Sequence, residues 1–303
     1  MKYYNLKLNY IINLLFFIIK IHMNQNICKS KTLQISGLKR NKIDKFYTKL
    51  KTTEFCMNYI LNNLDINKSD DLIIEPSAGN GSFISIIKKN FRNYKFYDLY
   101  PENDEIIKLD YLKLNYQNLE YPKIHIIGNP PFGRQSSTAL KFIKFSAKFC
   151  DSISFILPKS FKKTSMQEKI PLNFHLKFEI DIPDNSFLLN NKDYNVPCVF
   201  QIWIKKNIKR EKLKREKPKK FKFVKKNESH HISFRRVGVY AGNISLNTDD
   251  KSVQTHYFIK FDKEPEEELI EKLKKINFND KDNTVGARSI SKLELTKEFN
   301  MIL

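Results

Sequence analysis

The strongest constraint on this chain is a set of short runs that are apolar at successive positions. DLIIE at 71–75 and IHII at 124–127 lack the alternation of a strand with one face in water. A strand buried on both faces belongs to a sheet covered by helices on each side, which is the habit of parallel α/β sheets. Helical patterns fall where such a sheet needs them. Residues 82–90 set Phe83, Ile86 and Ile87 on one face, and 138–149 is amphipathic. Further strands are expected at 95–98, 152–157, 176–180 and 199–204. The fold class expected is α/β, with a Rossmann-like, doubly wound, mostly parallel sheet.

With 303 residues the chain can hold one ordinary domain and a smaller unit. A hydrophobic share of 41% excludes wholesale disorder, and 8 glycines without a short period exclude collagen-like and solenoid folds. The 54 Lys and Arg exceed the 33 Asp and Glu by 21. Much of that surplus is scattered lysine, the ordinary dress of a solvated surface. Residues 205–226 differ: thirteen Lys and Arg stand against only Glu211 and Glu216, a local surplus of eleven. Such a concentration fits a polyanion, either nucleic acid or an anionic membrane surface. This stretch is expected to be a linker or arm without a core face. Beyond it, strand-like pieces at 230–262 and a charged helix at 264–276 suggest a small α+β unit.

The domain plan is therefore an N-terminal extension at 1–43 outside the fold, a catalytic domain at 44–205, and a basic recognition unit at 206–303. The apolar run YIINLLFFIIKI at 10–21 is shorter than the roughly 20 residues of a spanning helix and is interrupted by Asn13. No small-residue cleavage site follows it. It is expected to lie outside the functional fold, with Met23 opening a more ordinary N-terminus; a short docking helix and a membrane anchor are the alternatives. No stable membrane association is expected. Cys28, Cys56, Cys150 and Cys198 form no CxxC pair and read as reduced thiols of a cytoplasmic protein, or of a host cell's cytoplasm for a virus- or plasmid-encoded one. No metal site is expected, and His230-His231 read as surface histidines.

Two motifs carry chemistry. In LIIEPSAGNGSF a strand ends on Glu75, and Ala78, Gly79 and Gly81 form a turn before a helix, the context in which Rossmann-type sites hold a nucleotide or nucleoside. The turn is neither G-x-G-x-x-G nor a Walker A loop, so neither NAD nor ATP is favoured. Asp98, 23 residues after Glu75, ends the next strand at about the offset of a ribose-binding carboxylate. The second motif is Asn129-Pro130-Pro131-Phe132, directly after the apolar strand at 124–127.

Here the chain resembles the S-adenosylmethionine-dependent amino-methyltransferases, specifically the N6-adenine DNA methyltransferases. EPSAGNG is similar to their cofactor loop, NPPF to their catalytic tetrapeptide, and DKFYT at 44–48 to their N-terminal cofactor motif, in the order of the γ arrangement. The family's proline after Thr48 is Lys49 here. The resemblance covers roughly residues 44–205 and implies a class I methyltransferase fold with S-adenosyl-L-methionine as cofactor. Asp110 would read the amino group of the cofactor's adenine and Tyr111 would lie beside that ring. Thr48, with Tyr47, would help hold the methionine end. Phe187 would be a second aromatic, after Phe132, against the target base.

The tetrapeptide makes physical sense by itself. An exocyclic adenine amine is a poor nucleophile because its lone pair is conjugated into the ring. The Asn129 amide oxygen and the Pro130 carbonyl can accept both N–H groups and draw the nitrogen toward a tetrahedral geometry. Pro130 and Pro131 fix the backbone that aims these acceptors, and Phe132 offers a face to a flipped-out base. The activity expected is that of a site-specific DNA-methyltransferase (adenine-N6-specific). Adenine-N6 methylation of RNA, glutamine N5-methylation of protein, and a non-catalytic nucleic-acid-binding subunit are the alternatives. No endonuclease motif is recognised in the chain.

Overall fold

The computed structural model describes residues 46–212 and 215–303. The run at 10–21, Cys28 and the start of DKFYT lie outside the described residues. In chain order the elements are β1 (Tyr47–Thr48), α1 (Leu50–Asn63), β2 (Leu72–Glu75), α2 (Ile84–Asn90), β3 (Asn93–Asp98), β4 (Ile107–Lys108) and β5 (Ile124–Gly128). There follow α3 (Ser137–Ser146), β6 (Ser152–Pro158), α4 (Thr164–Gln167), β7 (Phe174–Asp181), β8 (Phe187–Leu189), β9 (Lys192–Tyr194) and β10 (Cys198–Lys205). The remainder holds β11 (Phe221–Val224), β12 (Ile232–Arg235), β13 (Ile244–Ser245), β14 (His256–Phe261), α5 (Glu267–Lys274) and α6 (Lys292–Ile302).

The main sheet has the order β4-β3-β2-β5-β6-β10-β7. The strands from β4 to β6 run parallel, and β10 lies antiparallel between β6 and β7. This is the Rossmann-like, doubly wound, mostly parallel sheet expected. Burial explains why the apolar runs had to be continuous. Ile74, Ile126 and Phe155 point into one core with Phe142 and Ile143 of α3. Their neighbours Ile73, Ile127 and Ile156 point into the other, with Met57 and Ile60 of α1 and Ile87 of α2. Each fully buried side chain of this size contributes roughly 1.5–3 kcal/mol. Ile60 is completely buried, and its truncation to Ala would cost about 2–5 kcal/mol.

At the amino ends of β2, β5 and β6, His125 joins neighbouring strands. Its Nδ1 bonds Ser152 Oγ at 2.7 Å and its Nε2 faces Asp71 Oδ2 at 3.3 Å, with all three residues buried. Burial depresses the His125 pKa despite Asp71, so the ring is held neutral. The order Ser–His–Asp imitates a hydrolase triad, but it stands at the sheet edge opposite the site described below and serves to tie strands.

The second sheet has the order β11-β14-β12-β13, all antiparallel, and packs on α5 and α6. Here the expectation for the basic stretch is corrected. Its end is β11, and Phe221 is buried in the core of this sheet with Phe261 and Phe299, because alternation of Phe with Lys in FKF suits a half-buried edge strand. Arg210 is also engaged: its Nε donates to the Phe174 carbonyl and its Nη2 to those of Gln167 and Ile170, while its plane covers Trp203. Lys163, nearly buried after β6, donates to the Ser289 carbonyl at 2.6 Å and pairs with Glu294 of α6 at 3.2 Å. Among the described residues no helix is long and apolar enough to cross a membrane.

Candidate active site

Strand order reverses at β2: the chain moves outward through β3 and β4, then returns to β5 on the other side. Loops leaving the carboxyl ends of β2 and β5 therefore diverge and leave a crevice, the usual ligand position in open α/β sheets. A cleft of about 360 Å³ occupies it, lined among others by Tyr47, Gly79, Asp98, Asp110 and Asn129 to Phe132.

The turn after β2 is built by hydrogen bonds that only certain residues allow. Ala78 N donates to the Tyr97 carbonyl and Gly81 N to that of Ala78. Gly79 has φ +56° and faces open space, with Tyr47 Cε1 the nearest atom to a would-be Cβ at 3.9 Å. Gly81 has φ +88°, and a Cβ there would meet Ile84 Cδ1 at 2.7 Å, so its role is close packing against α2. Asp98 closes the turn: Oδ2 accepts from Gly79 N at 2.8 Å and Oδ1 from Tyr100 N at 2.7 Å. Tyr47 reaches across the turn, its hydroxyl 2.7 Å from a Glu102 carboxylate oxygen, while Glu102 N donates to the Gly79 carbonyl.

The tetrapeptide sits at the carboxyl end of β5, beside this turn. Asn129 Nδ2 donates to Thr48 Oγ1 at 3.2 Å, and Ser77 Oγ donates to the Asn129 carbonyl at 3.3 Å. Oδ1 of the same amide is buried and without a hydrogen-bond partner among the described residues. An unpaired buried acceptor is costly, and Asn129 is one of the residues that line the cleft. Beyond Phe132 the chain bends sharply. Gly133 has φ +68°, and a Cβ would overlap Thr138 Oγ1 at 2.1 Å; Gln135 and Ser136 are also left-handed. Thr138 N and Ala139 N both donate to the Phe132 carbonyl, which anchors the loop to α3.

Of the residues expected to hold a cofactor, Gly79, Asp98, Asp110 and Tyr111 line the cleft with the tetrapeptide. Asp110 Oδ1 caps a helical turn by accepting from Leu112 N. Tyr111 is a buried wall, its hydroxyl bonded to Ser146 Oγ at 2.7 Å and its ring stacked on Phe142, so its phenol pKa is raised by burial. Ala78, Gly81 and Glu75 shape the turn from behind and do not line the cleft. Glu75 is enclosed beneath the adjacent Gly128, its Oε2 without a partner among the described residues, and burial, with repulsion from Asp98, pushes its pKa up to about 8. Thr48 is buried and engaged with Asn129, which makes it a support of the tetrapeptide rather than a wall of the cleft.

Phe187 requires a correction. It pairs across from Thr48 in the sheet of β1, β8 and β9 and is 1% exposed within the core shared with α1. Its ring does not line the cleft, because the short β1–β8 pairing turns it inward. The reading of His230 and His231 as plain surface residues also needs refining. Both are half-buried; His231 Nδ1 accepts from Phe261 N and its Nε2 faces Glu264 at 3.2 Å. No cluster of potential metal ligands occurs among the described residues. Cys56, Cys150 and Cys198 are buried free thiols whose pKa values burial raises.

Sequence reasoning missed Ser77, Leu99, Tyr100 and Thr138. Leu99 and Tyr100 are 51% and 63% exposed on the lip of the cleft, directly after Asp98. Large apolar side chains just past a strand-ending carboxylate were the available signal.

No family model and no curated protein matches this chain. Solved structures show partial likeness. A Listeria monocytogenes protein provisionally described as a class I S-adenosylmethionine-dependent methyltransferase is 15% identical, with 58% of this chain and 66% of that one covered at a TM-score of 0.42. A Pyrococcus horikoshii protein provisionally described as an RNA methyltransferase is 14% identical over 56% and 92%, also at 0.42. The magnesium protoporphyrin IX methyltransferase of Synechocystis, solved with bound S-adenosylmethionine, is 12% identical over 52% and 79%, at 0.39. The sheet order and the residues of the cleft, rather than these distant likenesses, carry the functional reading.

Proposed function

We propose that this chain transfers a methyl group from S-adenosylmethionine to the N6 amine of adenine in DNA. The observation that carries the reading is the buried Oδ1 of Asn129, without a hydrogen-bond partner among the described residues, on a residue that bonds Thr48 and lines a cleft with Gly79 and Asp98. A hydrogen-bond acceptor held ready at the carboxyl edge of β5 is what an amine substrate requires.

The cleft fits the cofactor in size and chemistry. Its volume is at the lower end for a small-molecule site, and its walls alternate carboxylates with apolar surface. Asp98 and the Gly79 turn would hold the ribose and methionine end. Asp110 would take the adenine's amino group, with Tyr111 and Leu112 forming the apolar wall. When bound, S-adenosylmethionine supplies an electrophilic methyl group whose bond to sulfur breaks as the new bond to nitrogen forms in line.

The rest of the work falls to the chain. Asn129 Oδ1 and the Pro130 carbonyl accept the two N–H groups of the target amine, withdraw its lone pair from ring conjugation and orient it. Phe132 stacks on the extruded base, and the left-handed turn at 133–136 keeps the tetrapeptide from relaxing away. Positioning and preorganised electrostatics are then the main sources of rate.

The test is expression in a bacterial host lacking adenine methylation, with modified bases mapped in DNA and RNA and methylated residues in protein. Methyladenine in a recurring DNA context is expected, and is lost with Asn129→Ala. Unmodified DNA beside methylated RNA or glutamine would overturn the DNA assignment.

A further inference from the structure

The turn between β12 and β13 presents two large side chains to solvent on a rigid support. Val239 and Tyr240 are 68% and 67% exposed at its tip. The tip does not hang loose. Ala241 N donates to the Gly238 carbonyl and Asn243 N to that of Tyr240; Arg235 and the 242–243 segment exchange bonds of 2.8 Å below it. Gly238, at φ +101°, permits the reversal, and its N donates to the Arg288 carbonyl at 3.0 Å.

Three guanidinium groups brace this turn: Arg235 Nε bonds the Val237 carbonyl, Arg288 Nη1 that of Val239, and Arg236 Nη2 that of Gln254 in the neighbouring loop. Each of the three is engaged with the protein's own backbone, and Arg288 also pairs with Asp282. They remain cationic and keep further N–H donors. Register places Lys225 at the same end of the sheet, since β11 leaves opposite Phe258 just as β12 leaves opposite His256. Val253, 61% exposed, lies on the loop entering β14 at that end. An apolar tip braced by three guanidinium groups is complementary to a stacked, anionic duplex.

We propose that the Val239–Tyr240 tip is a wedge that packs against a base step of duplex DNA while the surrounding cations meet its phosphates. This rests on the reading of the chain as a DNA methyltransferase and adds where the duplex is held. A preorganised tyrosine loses little freedom on binding and offers a ring face that any base can meet, so the wedge contributes affinity with little sequence preference.

The test compares the full chain with a Val239→Ser/Tyr240→Ser variant in fluorescence anisotropy on a short mixed-sequence DNA duplex at several salt concentrations. Both side chains are exposed, so thermal unfolding should match the wild type. The variant is expected to bind roughly tenfold or more weakly, the scale of an aromatic–base contact. Its dependence of affinity on salt should be unchanged, because no charge is removed. Tyr240→Phe should bind like the wild type. Equal affinity of the double variant and the wild type overturns the proposal, as does a wild type with no affinity for the duplex. A loss confined to RNA, or a wild-type dimer that the variant abolishes with DNA affinity intact, also overturns it. Methyl transfer measured in parallel separates the two readings: DNA bound through the tip without transfer defeats the proposed activity alone, and transfer with an indifferent tip defeats the wedge alone.

Discussion

Replacing Glu75 by Gln should remove most of the chain's loss of stability between weakly acidic and alkaline pH. Glu75 ends β2 fully enclosed, one carboxyl oxygen has no partner among the described residues, and Asp98 adds like charge. Its pKa therefore rises from an ordinary 4.5 to about 8. Between those values the folded chain keeps a proton that the unfolded chain has released. The folded state then binds more protons, and stability falls as pH rises. The whole contribution is present below pH 4.5 and lost by about pH 8. A shift of this size corresponds to at most on the order of 5 kcal/mol. Gln keeps the shape and does not titrate, so the comparison isolates the carboxyl. Urea unfolding followed by circular dichroism across this range should give a wild-type stability that declines relative to the variant by several kcal/mol and then runs parallel to it. Curves parallel throughout would refute the argument and mean that water or a rearranged Gly128 loop solvates the carboxylate.

Asn129→Ala should lower methyl transfer roughly 10²–10³-fold while calorimetry finds cofactor binding retained, because the lost group faces the amine. Thr48→Val should lower the rate in the same assay by a smaller factor, since it frees the amide to rotate without removing it. His125, with its pKa depressed by burial, contributes stability that is present above its ordinary pKa of 6.5 and lost as pH falls below it; His125→Gln should flatten that acid limb in thermal unfolding. Neutralising the exposed Lys206, Lys209, Lys212, Lys217 and Lys222 together should flatten the salt dependence of DNA binding by up to about 0.9 per charge that meets a phosphate. Arg210→Gln should instead lower thermal stability and leave that slope alone.

What the sequence could disclose follows from how locally each feature is encoded. The Gly79–Gly81 turn, the strand-ending Asp98 and the tetrapeptide are each written within a few residues, and a doubly wound sheet delivers the ends of adjacent parallel strands to the same edge. Their convergence in one cleft was therefore readable from strand order alone. The insertion of β10 between β6 and β7 was not: runs at 176–180 and 199–204 look alike in either direction, and only the intervening β8–β9 excursion reverses the chain. Phe187 misled for a related reason. An aromatic ahead of a strand is compatible with the cleft or with the core, and its pairing with Thr48, 139 residues earlier, decides for the core.

Charge is the property for which composition says least about availability. Residues 205–226 carry a surplus of eleven, but they do not act as one arm. Arg210 is fastened over Trp203, Arg215 lies 3.7 Å from Glu168, Lys220 binds the carbonyl of Leu303, and Lys226 that of Asp249. Phe221 then draws the stretch into a folded sheet. Apart from Arg210 over Trp203, each such contact is made to a residue distant in sequence, so no short window of sequence reveals it. The cations left for a polyanion are fewer than the surplus implies, and those around Val239 and Tyr240 come from three separate segments: the end of β11, the β12–β13 turn and the loop before α6. A positive surface assembled in this way has a fixed shape. It can therefore present an apolar tip among its charges, which a flexible basic tail of the same composition could not hold in place.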